Sequence, residues 1–270
     1  MLEIKNISIT FNPNTPNEVK ALDDVSLKIN EGSFVTVLGT NGSGKSTLLN
    51  ALAGNFIPNK GSILLDGTDI TRWHEHQRAK YIGRVFQNPF SGTAPDMSIA
   101  ENISLASRRG LGRGLGWALH VRTLSQYREK IKGLNMGLEE RLESPIGKLS
   151  GGQRQALTLL MATWLKPKLL LLDEHTAALD PKTANKVIQL TEEIIQRDHL
   201  TTLMVTHSMQ QAVNLGNRII MMHNGKIAYD FEAEEKKRLK VNDLLSLFDE
   251  IRRKEQMDSS IAEMLQNNYV

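Results

Sequence analysis

Apolar and polar residues alternate through "LEIKNISITF" and "DDVSLKI", and "SFVTVL" is a short β-rich run, so the first third of the chain reads as strands. Between the first two runs, "NPNTPNEV" (12–19) is a Pro/Asn turn region. Directly after "GTNGSGKS" the spacing becomes helical through "STLLNALAG", with Gly54 as its stop signal. "GSILLDG" and "YIGRVF" return to the strand pattern. From about Asn88 to Lys166 the period is mostly helical and strand signals vanish, which predicts an inserted helical subdomain. Strand and helix then alternate: "KLLLL", a helix from Pro181, "TTLMV", a helix after Ser208, and "RIIMMHNGKIAYD", whose Asn-Gly step is a hairpin signal. Such alternation predicts a parallel sheet with crossover helices. From about Glu232 the chain is charged and helical, and "VNDLLSLFDEI" carries one apolar stripe.

Composition narrows the picture. The 270 residues are 40% apolar and 23% charged, ordinary for a globular chain with a sizeable core. A net charge of +3 is too small to argue for a nucleic-acid partner, and none is expected. Having no cysteine removes disulfides and thiolate metal sites and suits a reducing compartment. The N-terminus alternates like a strand and carries Glu3, unlike a signal peptide. No run approaches the ~18 apolar residues of a membrane helix; "LTLLMATWL" is interrupted by threonines and stopped by "KPK". The expectation is a soluble chain able to dock on a membrane protein.

Two stretches carry chemistry. "GTNGSGKST" (39–47) fits G-x-x-x-x-G-K-[ST], follows a predicted strand and opens a predicted helix. In that setting the glycines let the backbone curl around an anion, and successive N–H groups converge on phosphate at the helix N-terminus. Lys45 then reaches the β- and γ-phosphates, and Ser46 offers a hydroxyl to Mg²⁺. The candidate nucleotide-binding set is Gly39, Asn41, Gly42, Ser43, Gly44, Lys45, Ser46 and Thr47. "KLLLLDE" is an apolar strand of the kind buried on both faces of a parallel sheet, and it ends in two acids. Ligands gather at the carboxyl ends of such strands. Asp173 therefore fits a Mg²⁺ partner acting through water, and Glu174 fits the group that polarises the attacking water. The predicted fold is α/β: a P-loop NTPase core with a mixed or parallel sheet, an N-terminal antiparallel β subdomain and the inserted α-helical subdomain (about 88–166). These make up an ATPase domain over 1–232, followed by a helical tail over 233–270.

"LSGGQRQA" (149–156) is more specific. Ser150 is placed to cap a helix starting at Gly151, and Gly151 and Gly152 present backbone N–H groups to an anion. With the full "LSGGQ" pentapeptide behind a phosphate loop, the chain from about Leu2 to Asp230 resembles the nucleotide-binding subunit of ATP-binding cassette (ABC) transporters, importer type. The resemblance implies that Leu149, Ser150, Gly151, Gly152 and Gln153 cap the γ-phosphate of ATP bound to an opposite subunit, in a head-to-tail homodimer or a heterodimer with a similar chain. It implies that Gln87 senses Mg²⁺ and communicates with the transport partner. It also implies that Asp180 speaks across the dimer, although Asp180 before Pro181 is equally a helix cap. His207 resembles the family's switch histidine at the γ-phosphate. Phe11 resembles the aromatic that stacks on adenine, with phenylalanine in place of the usual tyrosine. Glu174, His207 and Gln87 form the implied catalytic set; Ser46, Gln87 and Asp173 form the metal set. ATP and Mg²⁺ are the implied cofactors. Integral membrane permease subunits and a solute-binding protein are the implied partners, at the cytoplasmic face of the membrane.

The departures are informative. His175 stands in "DEHTAALD" where the family usually has proline, and it is read as outside the motif. The Arg/Gly-rich stretch 107–122 reads as an exposed loop of the helical insertion, as a contact for a membrane subunit or anionic headgroups, or as an RNA-binding segment. "WHEHQR" (73–78) puts His74 and His76 on different faces of any helix, against a metal site. "DEHTAALDPKT" and the Arg/Gly-rich stretch are similar to cassettes of an importer branch associated with aromatic amino acids. The alternatives are a soluble cassette ATPase, such as one serving iron–sulfur cluster assembly, or a degenerate nucleotide binder. The second would have lost Glu174 or His207, and both are present.

Overall fold

The computed structural model describes residues 1–110 and 121–253. Among the described residues ten strands form two sheets. β1 (Leu2–Phe11), β2 (Val19–Ile29), β4 (Lys60–Leu65) and β5 (Thr68–Asp69) make an antiparallel sheet in the order β2-β1-β4-β5. β3 (Phe34–Gly39), β6 (Ile82–Val85), β7 (Leu169–Asp173), β8 (Thr202–Val205), β9 (Arg218–His223) and β10 (Lys226–Glu232) make a sheet in the order β10-β9-β3-β8-β7-β6. Only β10 runs antiparallel in it, so the sheet is mixed. Asn224 and Gly225 both take positive φ (44° and 74°), which turns the β9–β10 hairpin.

The helices are α1 (Lys45–Ala53), α2 (Glu75–Arg78), α3 (Ile99–Ser107), α4 (Val121–Lys132), α5 (Gly151–Thr163), α6 (Pro181–Asp198), α7 (Met209–Asn214) and α8 (Ala233–Arg238). Gly54 ends α1 in the left-handed region, donating its N–H to the Asn50 and Ala51 carbonyls. α3, α4 and α5 lie in the segment where strand signals vanish. The Arg/Gly-rich stretch, through residues 111–120, lies mostly outside the described residues, as does the tail beyond residue 253.

Burial explains the arrangement. Leu169–Leu172 are fully buried, as a strand sandwiched between helical layers requires, and each such leucine contributes about 2 kcal/mol by leaving water. One core joins α3, α4, α5 and α6 to one face of the mixed sheet through Ile103, Leu157, Leu172 and Ile194. A second packs the antiparallel sheet and α1 against the opposite face through Ile7, Leu49, Leu171 and Val205. Residues 241–253 are helical, and the apolar stripe of "VNDLLSLFDEI" has a partner: Leu244 and Ile251 pack with Ile219, Met221 and Leu38.

Strand register then positions the chemistry. Val85 lies opposite Leu172, and Asp173 lies opposite Val205. Val37 lies opposite Val205 in turn. The parallel strands therefore deliver Gly39, in the last pair of β3, and Gln87, Glu174 and His207, just past the last pairs of β6, β7 and β8, to the same end of the sheet.

Candidate functional site

The phosphate loop begins where β3 ends. Gly44 caps α1 with φ 98°, and a Cβ there would stand 2.5 Å from the Ala21 carbonyl oxygen, so the tight loop needs glycine. No side chain caps α1, and no acid occupies its first turn. By contrast, α3, α5, α6 and α7 are each capped by a Ser or Asp oxygen. The backbone N–H groups of Gly42, Gly44, Lys45, Ser46 and Thr47 take no acceptor from the described residues. A helix N-terminus with open donors is an anion site.

Lys45 fits the same anion. It is buried, and its ammonium donates to neutral carbonyls, Gly39 O at 2.8 Å and Thr40 O at 2.9 Å, with Ser43 Oγ at 3.5 Å. Burial lowers its pKa, and the charges of Glu174 and Asp173 nearby pull it back up. Ser43 is buried in the loop, whereas Asn41, Gly42 and Ser46 are exposed at its rim.

The two acids at the end of β7 are held differently. Asp173 Oδ2 lies 3.4 Å from Arg84 Nη2, and Arg84 Nη1 donates to Asn50 Oδ1 of α1 at 2.9 Å. Glu174 has φ 43°, a left-handed conformation that non-glycine residues adopt at a cost, and its N–H donates to Val205 O at 3.0 Å. That bend aims its carboxylate at two partners. Oε1 lies 2.6 Å from His207 Nε2, and Oε2 accepts from Gln87 Nε2 at 3.3 Å. Gln87, Glu174 and His207 therefore form one hydrogen-bonded set, although β6, β7 and β8 are far apart in sequence. Glu174 is largely enclosed and His207 half exposed, so the pair opens to solvent on the histidine side.

His175 points elsewhere. It is 3% exposed, and its Nε2 lies 3.1 Å from Thr191 Oγ1 on α6. The Thr191 hydroxyl donates to Val187 O at 2.7 Å, so the imidazole must be the donor in the first contact. Burial pushes the His175 pKa down to about 4. It is a neutral core histidine, one residue from the site and turned away from it.

The signature segment is separate from this set. Ser150 Oγ accepts from Gln153 N at 3.3 Å, and Gln153 Oε1 accepts from Ser150 N at 3.3 Å, a reciprocal capping box. Leu149 is buried, while Ser150 and Gly151 are exposed at the start of α5. Asp180 Oδ1 accepts from Thr183 N at 3.0 Å, with Pro181 as the first helical residue, so the capping role is present. Phe11 pairs with Val19 in the β1–β2 ladder and meets Phe56 edge-on, with ring centroids 5.2 Å apart. His74, the extended cap of α2, and His76 within the helix stack with ring centroids 6.2 Å apart, so they do not take the different faces expected of two helical residues.

Sequence reading missed several polar supports. Thr206 Oγ1 donates to Gln211 Oε1 at 2.7 Å, and Gln211 Nε2 donates to Thr176 Oγ1 at 3.2 Å, tying the strand end before His207 to the turn after Glu174. Arg84 on Asp173 was also missed, as were Arg154 and Gln155 in α5. One signal for the last two was available: an Arg-Gln pair in a helix whose following residues are nearly all apolar.

For Mg²⁺, no group of three His, Asp or Glu suited to a metal occurs among the described residues. Ser46, Gln87 and Asp173 offer a hydroxyl, an amide and one carboxylate. That sparse oxygen set fits a cation that keeps its waters and takes phosphate oxygens.

Comparison with known proteins gives the family. The sequence model of the ABC transporter family matches residues 22–177, and the chain belongs to that family, as its ATP-binding, ATP-hydrolysing component. Among curated relatives, the "Tyrosine transport ATP-binding protein" of Clostridioides difficile (strain R20291) is 44% identical over 250 residues, 92% of this chain and 99% of that one. The "Phosphonates import ATP-binding protein PhnC 3" of Halalkalibacterium halodurans is 31% identical over 87% of this chain and 90% of that one. Among solved structures, a dimeric post-hydrolysis state of the ATP-binding cassette MJ0796 bound to ADP and Pi superposes with a TM-score of 0.73 at 30% identity, covering 86% of this chain and 98% of that one.

Proposed function

We propose that the chain is the ATP-hydrolysing motor of a membrane importer for a small solute, and that it pairs head to tail with a second copy, or a similar chain, around two ATP. The observation that carries this reading is the Gln87–Glu174–His207 set beside an uncapped helix N-terminus and a buried lysine. Glu174 would take the proton of the attacking water, His207 would hold Glu174 and contact the γ-phosphate, and Gln87 would report the state of the site. The phosphate loop from Gly39 to Thr47 would cradle the phosphates, and Phe11 would lie at the adenine. Mg²⁺ would be held by Ser46, Gln87 and Asp173, and when bound it would neutralise charge developing on the phosphates. The segment Leu149–Gln153 and Asp180 would face the partner's nucleotide.

Among the described residues no helix is long and apolar enough to cross a membrane; integral permease subunits would supply the path for the solute. An open cleft of about 980 Å³ between the sheet and the helical subdomain, lined by Arg84, Phe86, Gly92, Asn102, Arg109 and Thr158, offers them a docking groove at the cytoplasmic membrane face. A solute-binding protein would complete the system. The similarity to a tyrosine transport ATP-binding protein supports tyrosine or a related aromatic amino acid as the solute. Uptake of radiolabelled tyrosine by cells lacking this chain is the test. Uptake should fall to the passive level and return with the wild-type chain but not with Glu174→Gln. Tyrosine uptake that is unaffected by the loss would overturn the solute.

A further inference from the structure

Arg154 follows the signature directly and is only 2% exposed. Its Nη2 donates to three carbonyls of the turn leading into the signature: Ile146 O at 3.2 Å, Gly147 O at 2.8 Å and Leu149 O at 3.4 Å. These acceptors are neutral, and no carboxylate pairs with Arg154 among the described residues. The face of the guanidinium is instead covered by Phe90, with the ring centroid 3.6 Å from Cζ. Phe90 itself is 52% exposed, an unusual position for so large an apolar ring. It sits three residues after Gln87, in a turn where Phe90 N donates to Asn88 Oδ1 at 3.0 Å and Ser91 N to Asn88 O at 3.0 Å.

The next residue of α5 makes the second tie. Gln155 is fully buried, and its Nε2 donates at 3.3 Å to the carbonyl of Phe86, the residue before Gln87. The first turn of the signature helix thus grips the Gln87 segment on both sides, through Phe86 and through Phe90. The same arginine fixes the carbonyls that set the path of the chain into Leu149. A planar cation with a fork of donors can bond carbonyls at its edge and stack on a ring with its face; a lysine ammonium cannot do both.

We propose that Arg154 and Phe90 are a positioning pair: they fix the signature turn against the segment carrying Gln87, so that the N–H groups of Gly151 and Gly152, which the Ser150–Gln153 capping box leaves open, are presented to the partner's nucleotide. The pair acts through the signature. This inference rests on the head-to-tail reading above.

The experiment measures ATP-driven dimerisation by sedimentation in a Glu174→Gln background, adding Phe90→Ala, Phe90→Trp or Arg154→Lys. Binding of a fluorescent ATP analogue to the dilute monomer is measured in parallel. Phe90→Ala should raise the chain concentration needed for dimerisation by about tenfold, the worth of a desolvated cation–π contact. Monomer nucleotide affinity should hold, and the melting temperature should fall only by the few degrees that one lost intrachain contact of this size costs. Phe90→Trp should restore dimerisation, and Arg154→Lys should fail to, although it keeps the charge. Dimerisation of Phe90→Ala at the parent concentration would overturn the pair, even if coupling to permease were lost, because Phe90 would then be a permease contact. An equal loss of monomer ATP affinity would also overturn it, by showing general damage. If the Glu174→Gln parent stayed monomeric with ATP, the head-to-tail reading would fall and the pair's role with it.

Discussion

His175 gives a quantitative prediction about pH. Its ring is enclosed in the protein, donates to Thr191 and has its pKa pushed down from 6.5 to about 4. The folded chain therefore takes up this proton later than the unfolded chain as pH falls. The stability that the neutral ring contributes is complete above pH 6.5 and is lost as pH falls from 6.5 towards 4. The gap corresponds to about 3 kcal/mol in full, of which about 2 kcal/mol is gone by pH 5. His175→Asn removes the titration and keeps a side-chain donor for Thr191. Urea unfolding of both chains at pH 7.5 and pH 5 isolates the effect as a difference of differences, whatever the variant's own stability. The wild-type chain should lose about 2 kcal/mol more than the variant over that interval. Equal losses would refute the assignment of His175 as a buried neutral residue. At pH 7.5 the ATPase rate of His175→Asn should stay within about twofold of wild type, under 0.5 kcal/mol in the barrier; a collapse would return the residue to the chemistry.

Two further substitutions probe the cradle and the signature. A Cβ at Gly152 would stand 2.0 Å from Thr183 Cγ2, so Gly152→Ala should push α5 from α6 and lower the melting temperature; adding Thr183→Ser removes that methyl and should recover most of the loss. Lys45→Met should weaken ATP binding by roughly 10- to 100-fold, the worth of charge-assisted hydrogen bonds to phosphate, as read by equilibrium dialysis with ATP; unchanged affinity would contradict its role.

Much of the site was legible because its parts are local. The phosphate loop, the acids after "KLLLL" and the caps at Ser150 and Asp180 each need only a few adjacent residues and a strand or helix boundary. The hidden parts depend on which faces meet after folding. Nothing near "DEHT" announces that His175 turns towards Thr191, sixteen residues on, because the left-handed bend at Glu174 and the docking of α6 decide the direction. Arg84 on Asp173 follows from pairing β6 beside β7, strands separated by the whole helical subdomain. The apolar residues after Arg154 and Gln155 mark the pair as buried, but their partners come from the Gln87 segment, which only the folded chain brings against α5. The apolar stripe of the tail was visible in sequence, but its partners Ile219 and Met221 were not.

The central claim is that Glu174, held by Gln87 and His207, drives ATP hydrolysis in a dimer of cassettes. The most direct measurement is steady-state ATPase activity of Glu174→Gln beside its oligomeric state with ATP. The account predicts turnover reduced by at least about 100-fold, the scale of a lost general base, together with a stable ATP-bound dimer. Hydrolysis at the wild-type rate by Glu174→Gln would contradict it.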